Sequence, residues 1–553
     1  MDNLNVFRGP ESVANYFNPD NNPPLPLVEI PDRLNKYRKH GVRIYAKLLT
    51  ALPAHNVKSL PATSALGMLI NQPKAAHQAI VEASSGSTVL SLGIISRVLW
   101  GNEDVTAHVT NKKHPDSLKL LRFFGLKVSL YGGLAQQEPT DPLGIMQRLR
   151  DRSAKDDNLC YPGQYDNENN WKAHERWTGP QILKQLPEIK IFCTTVGTGG
   201  CITGTGVYLK SEKPSVKVLG VFNVFGDPTP GPRHYHGFAT CGFPWKGTVD
   251  EQREVASADA YRMSMKLSRE GIIAGPSSGE ALCGLLDYIG DMSSSGALAD
   301  LAEPSTGEVS CVFTCSDLPY QYLDGYYQKL SEDEFPPIEN KILLTCDQNR
   351  HDERWILDPK DAVKMVHERR GTSQKAEELW EDSQSGVDPS KSLSESTRPR
   401  KSLAQWIKTC FLGVGASTQE GCAGTVAPHS LSSPLVIDLR SSRDFSRSHM
   451  PGAYNLSLDD SVPRANSGVD LFADAGAVHA AWSNLKTIFA TVRATELIDR
   501  SRKAKLPVLV VCYNGEVSRL ATSVLRSKGV EAFSAKGGFE ALGRATAKGV
   551  SNV

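Results

Sequence analysis

The stretch EIKIFCTTVGTGGCITGTGVYLKSEKPSVKVLGV, residues 188–221, places two runs rich in β-branched residues around a loop that contains Gly197, Gly199 and Gly200. The first run predicts a buried strand, and the residues after the loop predict a helix. Glycines at such a junction let the backbone approach a ligand closely, and the N–H groups there converge on an anion. The stretch therefore predicts an α/β fold with an anion-binding loop at residues 197–201.

The length and the charge balance limit what the chain can be. With 553 residues the chain is too long for one ordinary core, so we expect more than one domain. Its 62 Lys and Arg against 61 Asp and Glu give no electrostatic case for nucleic acid or an anionic membrane. The sequence has no apolar run of the roughly 18 residues that a membrane span needs, and its polar start does not resemble a secretion signal. We expect a cytoplasmic protein without nucleic-acid or membrane partners.

The eleven cysteines are an odd number and are scattered along the chain. None forms a C-x-x-C pair, so the spacing argues against a disulfide framework and against a zinc site. We expect no metal, and we expect most of the thiols to be small buried apolar groups. Cys512 is the exception and is considered below.

The order of the patterns predicts the domain organisation. Residues 1–24 form an N-terminal extension. From 25 to about 330, β-branched runs alternate with amphipathic stretches, which predicts a parallel sheet covered by helices. Residues 331–370 are charged and partly helical, and we expect them to pack on this first domain, which gives it the bounds 25–370. Residues 371–433 are rich in Ser, Gly, Pro and charge, which predicts a flexible linker. Periodicity resumes in a second α/β domain at 434–548.

Two further segments of the first domain help to decide which ligand the glycine loop binds. LPAHNVKSLPA (52–62) sets Lys58 in a turn-rich stretch, and VEASSGSTVLSLG (81–93) is a strand, a Ser/Gly loop and a helix start. The second loop offers N–H and hydroxyl groups to a carboxylate. A nicotinamide site is the rival for the glycine loop, but it requires an acid at the end of the next strand, and VLGVFNV has none.

With these segments together, residues 25–330 resemble the cysteine synthase and cystathionine β-synthase family of pyridoxal-phosphate enzymes. PGQYDNENNWKAH (162–174), EGIIAGPSSGEAL (270–282) and PLPLVEIP (24–31) add further matches in the same order. The resemblance implies the two-lobed fold type II of these enzymes, similar to the tryptophan synthase β-subunit. It also implies pyridoxal 5'-phosphate as cofactor, a small amino-acid substrate and a homodimer.

The resemblance also implies roles for individual residues. Lys58 matches the lysine that forms a Schiff base with the cofactor. The expected cofactor-binding residues, besides Lys58, are Ser87, Gly197, Thr198, Gly199, Gly200 and Cys201. The expected substrate-binding residues are Ser84, Ser85, Gly86, Thr88 and Gln164.

The sequence departs from the family pattern at several of these positions. Ser87 stands where an asparagine is common, and Cys201 replaces a hydroxyl residue. The EASSGST loop resembles a branch that includes cysteine desulfhydrases. The partner of the cofactor's ring nitrogen should follow the strand VSCVFTC, where the sequence leaves Ser316 and Asp317 as alternatives. An aspartate there would keep the ring nitrogen protonated and would favour elimination.

In the second domain, Cys512 lies between a buried strand run and an amphipathic helix, where converging N–H groups are expected to lower its pKa. DLRSSRDFSRSHMPGAYN, CYNGEVSR and KGGFEAL resemble the signatures of rhodanese, a sulfurtransferase fold. The loop from Cys512 has the length that accommodates sulfur. It lacks arginine, because Tyr513 and Val517 occupy the usual positions, and Glu516 adds negative charge. Thiosulfate should therefore be a poor donor, and an inactive binding module is the alternative.

These observations lead to a bifunctional sulfur enzyme as the predicted function. The first domain would replace the β-substituent of an activated serine with sulfide or a related nucleophile, and Cys512 would carry sulfane sulfur. One alternative is a cysteine desulfhydrase that eliminates sulfide or persulfide and leaves pyruvate. A second alternative is a non-catalytic scaffold with a decayed rhodanese module.

Overall fold

The computed structural model describes residues 5–63, 67–72, 75–84, 86–113, 115–134, 136–237, 241–367, 434–458 and 470–549. The chain divides into two compact units, Met1–Pro336 and Pro337–Val553. Within the described residues, none of the helices has the length and apolar character to cross a membrane. The predicted linker at 371–433 lies outside the described residues.

The first unit contains two separate sheets, as expected for a two-lobed fold. The larger sheet has the strand order β1-β2-β10-β7-β8-β9 and the smaller has the order β5-β4-β3-β6. The strands are β1 (Leu27–Glu29), β2 (Val42–Leu48), β3 (Ala79–Ala83), β4 (Val105–Thr110), β5 (Lys127–Tyr131), β6 (Leu159–Cys160), β7 (Ile189–Thr195), β8 (Lys217–Asn223), β9 (Glu251–Val255) and β10 (Val309–Cys315).

The helices of the first unit cover both sheets. They are α1 (Ser12–Phe17), α2 (Ser59–Thr63), α3 (Ser87–Trp100), α4 (Pro115–Phe123), α5 (Ile145–Lys155), α6 (Asn169–Ala173), α7 (Gly179–Gln185), α8 (Gly200–Glu212), α9 (Ser257–Arg269), α10 (Pro276–Ser294) and α11 (Leu323–Lys329). A π-helical turn at His174–Thr178 separates α6 from α7.

The pairing of the strands explains their composition. Every residue of β10 is buried, because β10 lies between β2 and β7 and is covered on both faces. Parallel strands in this position are apolar throughout rather than alternating. The sheet is not wholly parallel, since β1 pairs with β2 in the antiparallel sense at one edge. The predicted parallel sheet is thus correct for its centre and wrong for this edge.

The second unit is one parallel sheet with helices on its faces, in the order β11-β15-β14-β12-β13. Its strands are β11 (Ile356–Leu357), β12 (Leu435–Asp438), β13 (Ala453–Asn455), β14 (Val508–Val511) and β15 (Ala532–Ala535). Its helices are α12 (Pro359–His367), α13 (Ser442–Arg447), α14 (Ala475–Phe489), α15 (Val492–Ala504), α16 (Glu516–Ser527) and α17 (Gly538–Gly549).

The segment after Pro336 does not pack where the sequence analysis expected. That analysis placed residues 331–370 on the first domain, whereas the segment belongs to the second unit. β11 pairs in parallel with β15, and Lys536 donates its backbone N–H to the Leu357 carbonyl at 2.9 Å. Ala362 and Val366 of α12 are buried in an apolar cluster of the second unit. The pattern of charge in this segment concealed a two-residue edge strand and one apolar helix face, both of which need tertiary partners.

Candidate active sites

The first unit encloses a cavity of about 380 Å³. Its walls come from both sheets, since the ends of β3 and β4 contribute from the smaller sheet, and the end of β7 and the residues directly after β10 contribute from the larger. Nine of the predicted site residues line it: Lys58, Ser84, Gly86, Ser87, Thr88, Gln164, Gly197, Thr198 and Cys201. Ser85 lies outside the described residues. The fold therefore brings together segments that are up to about 140 positions apart.

Lys58 precedes α2 and extends into this cavity. Its Nζ donates to the Thr198 hydroxyl at 3.3 Å, and its backbone N–H donates to the Asn56 side-chain oxygen at 2.9 Å. Burial lowers the pKa of Lys58, and attraction by Asp317 opposes that effect. A lysine amine with a lowered pKa is more often neutral, and a neutral amine is the form that condenses with an aldehyde or removes a proton.

The glycine loop leads from β7 into α8. Gly199 has φ of +84° and precedes the first helical residue, and no described side chain caps the helix. A Cβ on Gly197 would lie 2.8 Å from the Gly231 carbonyl oxygen, and one on Gly200 would lie 2.3 Å from Asn170 Oδ1. Gly199 and Gly200 are not on the cavity wall themselves. They shape a turn whose uncapped first-turn N–H groups suit a phosphate.

A second helix N-terminus faces the same cavity. Gly86 precedes α3, which also has no side-chain cap among the described residues, and Ser87 and Thr88 begin it. The Thr88 hydroxyl donates to Gln164 Oε1 at 2.6 Å, and Gln164 Nε2 donates to the Ala83 carbonyl at 2.9 Å. The predicted carboxylate loop and the predicted glutamine are thus held against each other.

Glu82 stabilises the segments beside this loop, and it was not among the site residues predicted from the sequence. It is fully buried at the end of β3, where its carboxyl group accepts N–H bonds from Ala83 and Gly163, each at 3.0 Å. Burial raises the pKa of Glu82 to about 8, and the backbone donors oppose that shift. The single glutamate in VEASSG was visible in the sequence, but nothing there indicated that Gly163 would lie beside it.

Asn170 connects the substrate side of the cavity to the glycine loop. Its Nδ2 donates to the Gln164 carbonyl at 2.6 Å and to the Thr198 hydroxyl at 2.9 Å. Its Oδ1 is buried and has no hydrogen-bond partner among the described residues. The family segment 162–174 contains this asparagine, but no pattern in that segment distinguishes it from its neighbours.

Of the two alternatives for the ring-nitrogen partner, Asp317 has the free acceptor. Asp317 is 7% exposed and lines the cavity, and its Oδ2 accepts from Tyr322 Oη at 2.5 Å and Gln321 Nε2 at 3.0 Å. Its Oδ1 is buried without a partner among the described residues. Burial raises the pKa of Asp317 to about 6, while Tyr322 and Gln321 lower it. Ser316 also lines the cavity, and its backbone groups bond to Val57 and Ser278.

These features fit pyridoxal phosphate. The uncapped N-terminus of α8 suits its phosphate, Lys58 Nζ suits its aldehyde, and the unpartnered Asp317 Oδ1 suits a protonated ring nitrogen. A buried acceptor without a partner is costly in a folded protein, so a donor from a bound group explains it.

The second unit presents a separate candidate site around Cys512. This residue lies between β14 and α16 and is 2% exposed. Its Sγ accepts N–H bonds from Gly515 and Ser518, each at 3.2 Å, and lies 3.3 Å from the Ser518 hydroxyl. The predicted lowering of the Cys512 pKa is wrong in sign, because burial raises the pKa by more than these donors lower it.

Two side chains of the loop after Cys512, those of Tyr513 and Glu516, are engaged in structural contacts. Tyr513 Oη donates to Asp444 Oδ2 at 2.5 Å and accepts from the Ser441 N–H at 3.1 Å. The Glu516 carboxylate accepts the N–H of Leu471 at 3.1 Å. The loop is therefore held by neutral and acidic side chains, and the backbone N–H groups of Gly515 and Ser518 point at Cys512 Sγ.

Fold and sites together define a two-lobed α/β enzyme domain followed by a small parallel α/β domain with a thiol loop. A family model described as pyridoxal-phosphate dependent enzyme matches residues 20–299, and one described as rhodanese-like domain matches residues 427–545. The chain belongs to the pyridoxal-phosphate dependent enzyme family and carries a rhodanese-like domain. The predicted family, fold class and cofactor are confirmed.

Relatives of the first unit share the enzyme class. The chain is 29% identical over 285 residues to a cysteine synthase of Aquifex aeolicus, covering 49% of this chain and 82% of the relative. It is 30% identical over 274 residues to a probable cysteine synthase of Bacillus subtilis (46% and 83%). It is 28% identical over 317 residues to an N-(2-amino-2-carboxyethyl)-L-glutamate synthase of Ralstonia nicotianae (55% and 86%). The crystal structure of a hydrogen sulfide-producing enzyme of Fusobacterium nucleatum matches with TM-score 0.45 and 25% identity (54% and 94%). The first unit is a cysteine synthase-like pyridoxal-phosphate enzyme.

Proposed function

We propose that the first unit replaces the β-substituent of an activated serine, such as O-acetylserine, with sulfide or a related nucleophile. The observation that carries the proposal is the opening of Lys58 and two uncapped helix N-termini onto one cavity. The names of the two cysteine synthases support it. The name of the Ralstonia relative indicates a product that contains glutamate, so the nucleophile of this chain stays open.

Different residues of the chain carry out proton transfer, substrate binding and positioning in the proposed reaction. Bound pyridoxal phosphate supplies an aldehyde that condenses with amines and a ring that withdraws electrons from the α-carbon. The Lys58 amine, with its pKa lowered by burial, accepts the α-proton at Nζ. The N-terminus of α3 binds the α-carboxylate and thereby orients the Cα–H bond towards Lys58. Gln164 and Thr88 hold that loop in place.

A cysteine desulfhydrase is the second candidate, and Asp317 favours it. A carboxylate facing a ring nitrogen keeps that nitrogen protonated and strengthens electron withdrawal from the α-carbon. Stronger withdrawal suits net elimination, which gives pyruvate, ammonia and sulfide or persulfide from cysteine or cystine. The non-catalytic scaffold is disfavoured by membership of the enzyme family.

For the second unit we propose that Cys512 accepts sulfane sulfur. The Cys512 thiolate attacks the terminal sulfur of a persulfide, a new S–S bond forms, and the donor leaves as a thiolate. The N–H groups of Gly515 and Ser518 stabilise the anionic sulfur. If the first unit follows the second candidate reaction, elimination from cystine would release such a persulfide.

The test uses the purified full chain with its cofactor. O-acetylserine and sulfide should give cysteine, whereas cysteine alone should give little pyruvate. The reverse result would favour elimination over replacement. Borohydride reduction followed by peptide mapping should place the cofactor on Lys58, and a label elsewhere would contradict the assignment. Cys512→Ala should abolish persulfide on the second unit and leave product formation by the first unit unchanged. Light scattering measures the molar mass in solution and so tests whether the protein is a homodimer, as the family resemblance implies.

A further inference from the structure

Asn56 lies two residues before Lys58 and was not among the site residues predicted from the sequence. It is 3% exposed and does not line the cavity. Its Oδ1 accepts the backbone N–H of Lys58 at 2.9 Å and the hydroxyl of Ser91 at 3.0 Å. Its Nδ2 donates to the Ala54 carbonyl at 2.7 Å. A side-chain amide oxygen has two acceptor positions, so both are used here.

The Ser91 hydroxyl brings helix α3 into this contact. Ser91 is fully buried in the second turn of α3. The N-terminus of that helix faces the cavity and binds the α-carboxylate in the proposed reaction. Because the Lys58 N–H and the Ser91 hydroxyl share one acceptor atom, a displacement of α3 also changes the hydrogen bond that holds the Lys58 backbone.

The backbone of the same segment contacts the end of β10. Asn56 and Asp317 form an antiparallel bridge, and the Val57 N–H donates to the Ser316 carbonyl at 2.7 Å. Helix α3, in contrast, packs its apolar side chains in the core of the smaller sheet. The turn that carries Lys58 is therefore bound to the larger sheet through its backbone and to the smaller-sheet side through Asn56 Oδ1.

The conformation of this turn depends on its hydrogen bonds. His55 has φ of +53°, which lies in the left-handed region that is uncommon for residues other than glycine. The bond from the Lys58 N–H to Asn56 Oδ1 closes an Asx turn, and the Ala54 N–H donates to the Ser59 hydroxyl at 3.2 Å. A backbone in a sparsely populated conformation persists only where its surroundings fix it. Asn56 is therefore part of what fixes the Lys58 backbone.

We propose that Asn56 is a positioning residue that holds Lys58 at a set place relative to the N-terminus of α3. Binding of the α-carboxylate and removal of the α-proton are coupled through this contact. The inference rests on the proposed function and deepens it, since it names the residue that links two of its steps. Asn56 acts through Lys58 and Ser91, because it lies outside the cavity wall. Proton transfer is sensitive to such contacts, since misplacement by about 1 Å costs on the order of a hundredfold in rate.

Kinetics of the cofactor-loaded full chain test the contact with α3. Ser91→Ala removes that contact and keeps the bond between Asn56 and the Lys58 N–H. We expect kcat per bound cofactor to fall about fivefold to tenfold with KM for O-acetylserine unchanged, since one neutral hydrogen bond is lost. Ser96→Ala is the matched control, because Ser96 is equally buried on α3 and its hydroxyl donates to two backbone carbonyls instead. Equal kcat in the two variants would contradict the proposal.

Variants of Asn56 separate positioning from a structural role. Asn56→Ala removes the acceptor of both donors and should lower kcat by about 10- to 100-fold. Adding Ser91→Ala to it should cost nothing more, because the bond is already absent, and an additive loss would contradict the role. In Asn56→Asp, a neutral carboxyl group offers the same acceptor and donor as the amide. Its kcat relative to the parent should therefore rise as the pH falls, and a variant as slow as Asn56→Ala at every pH is the contrary result.

Hydrogen exchange separates this inference from the proposed reaction, because it requires no turnover. Serine, whose hydroxyl is a poor leaving group, is added to the loaded full chain, and exchange is followed in the peptides 52–62 and 86–93. Slower exchange of both peptides in the parent, and of 86–93 alone in Ser91→Ala, supports the inference whether or not product forms. A parent that slows only in 86–93, or a Ser91→Ala variant that responds like the parent, overturns the inference and leaves the reaction intact. If serine slows neither peptide, the carboxylate site at α3 is wrong and both proposals fail.

Discussion

Tyr322 Oη donates a hydrogen bond to Asp317 Oδ2 at 2.5 Å, whereas Asp317 Oδ1 is buried without a hydrogen-bond partner among the described residues. This contact favours the ionised carboxylate, whereas burial raises the pKa of Asp317 to about 6. The tyrosine therefore favours the charged form of the aspartate against the effect of burial. A carboxylate in that state can hold a ring nitrogen in its protonated form.

Two substitutions test this relationship. Asp317→Asn should lower kcat by about 10- to 100-fold, because a hydrogen bond to a charged group is lost. Tyr322→Phe removes a donor that lowers the Asp317 pKa, so the acid limb of the pH–rate profile should move upward from about pH 6. Tyr320→Phe, at an exposed neighbouring tyrosine, is the matched control. An unmoved acid limb in Tyr322→Phe would show that Asp317 does not control it.

Asn170 gives a prediction about cofactor retention. Asn170→Ala removes the donor that joins the Gln164 carbonyl to the Thr198 hydroxyl and leaves space beside Gly200. We expect cofactor to dissociate about tenfold more readily, the size of effect that one lost buried hydrogen bond produces. The measurement is the loss of visible cofactor absorbance during dialysis, with the exposed Asn158→Ala as control. Equal retention in both variants would contradict the bridging role.

Glu82 gives a prediction about stability and pH. The folded-state pKa of Glu82 is raised to about 8, so folding favours the protonated form. The resulting stabilisation is complete below the unfolded pKa and is lost as the pH rises through about 8. The difference in unfolding free energy between Glu82→Gln and the parent should therefore move by a few kcal/mol in favour of the variant between pH 5 and pH 8.5. Denaturant unfolding at both values measures it, and a difference independent of pH is the contrary outcome.

Cys512 should react more slowly than an exposed thiol. Its pKa is raised by burial, so alkylation by iodoacetamide should accelerate only as the pH rises above the usual thiol range. Ser518→Ala removes a hydroxyl that lowers the pKa of Cys512 and should slow alkylation severalfold at pH 8. Mass spectrometry of the Cys512 peptide follows the rate. Ser527→Ala, on the same helix, should match the parent.

The sequence was a good guide wherever one segment carries its own signal. The glycine loop, the Ser/Gly loop and Lys58 each have local residues whose backbone or side-chain chemistry is diagnostic, and the fold brings them to one cavity. The fold class followed from alternation of apolar runs, because strands buried on both faces are apolar throughout. The roles of the individual residues stay predictions.

Other parts of the site depend on tertiary contacts and could not be read from the sequence. Asn170 acts through its hydrogen bond to Thr198, and Tyr322 acts through its hydrogen bond to Asp317. No pattern in either segment distinguishes these two residues from their neighbours. The direction of the pKa shift of Cys512 depends on how deeply the thiol is buried. Burial raises this pKa by more than the hydrogen-bond donors of the loop lower it. β11 has two residues and becomes a strand only because β15 is available to pair with it.

The position of β11 changes how the stretch 368–433 relates to the two units. β11 and α12 precede it, whereas the other strands of their sheet follow it, so elements of the second unit lie on both sides of the stretch in the sequence. The covalent junction of the two units is at Pro336 and Pro337, and the stretch is an insertion within the second unit. The pairing of β11 with β15 therefore has to bring together residues that are far apart in the chain, and the entropy cost of that closure belongs to the folding of the second unit itself.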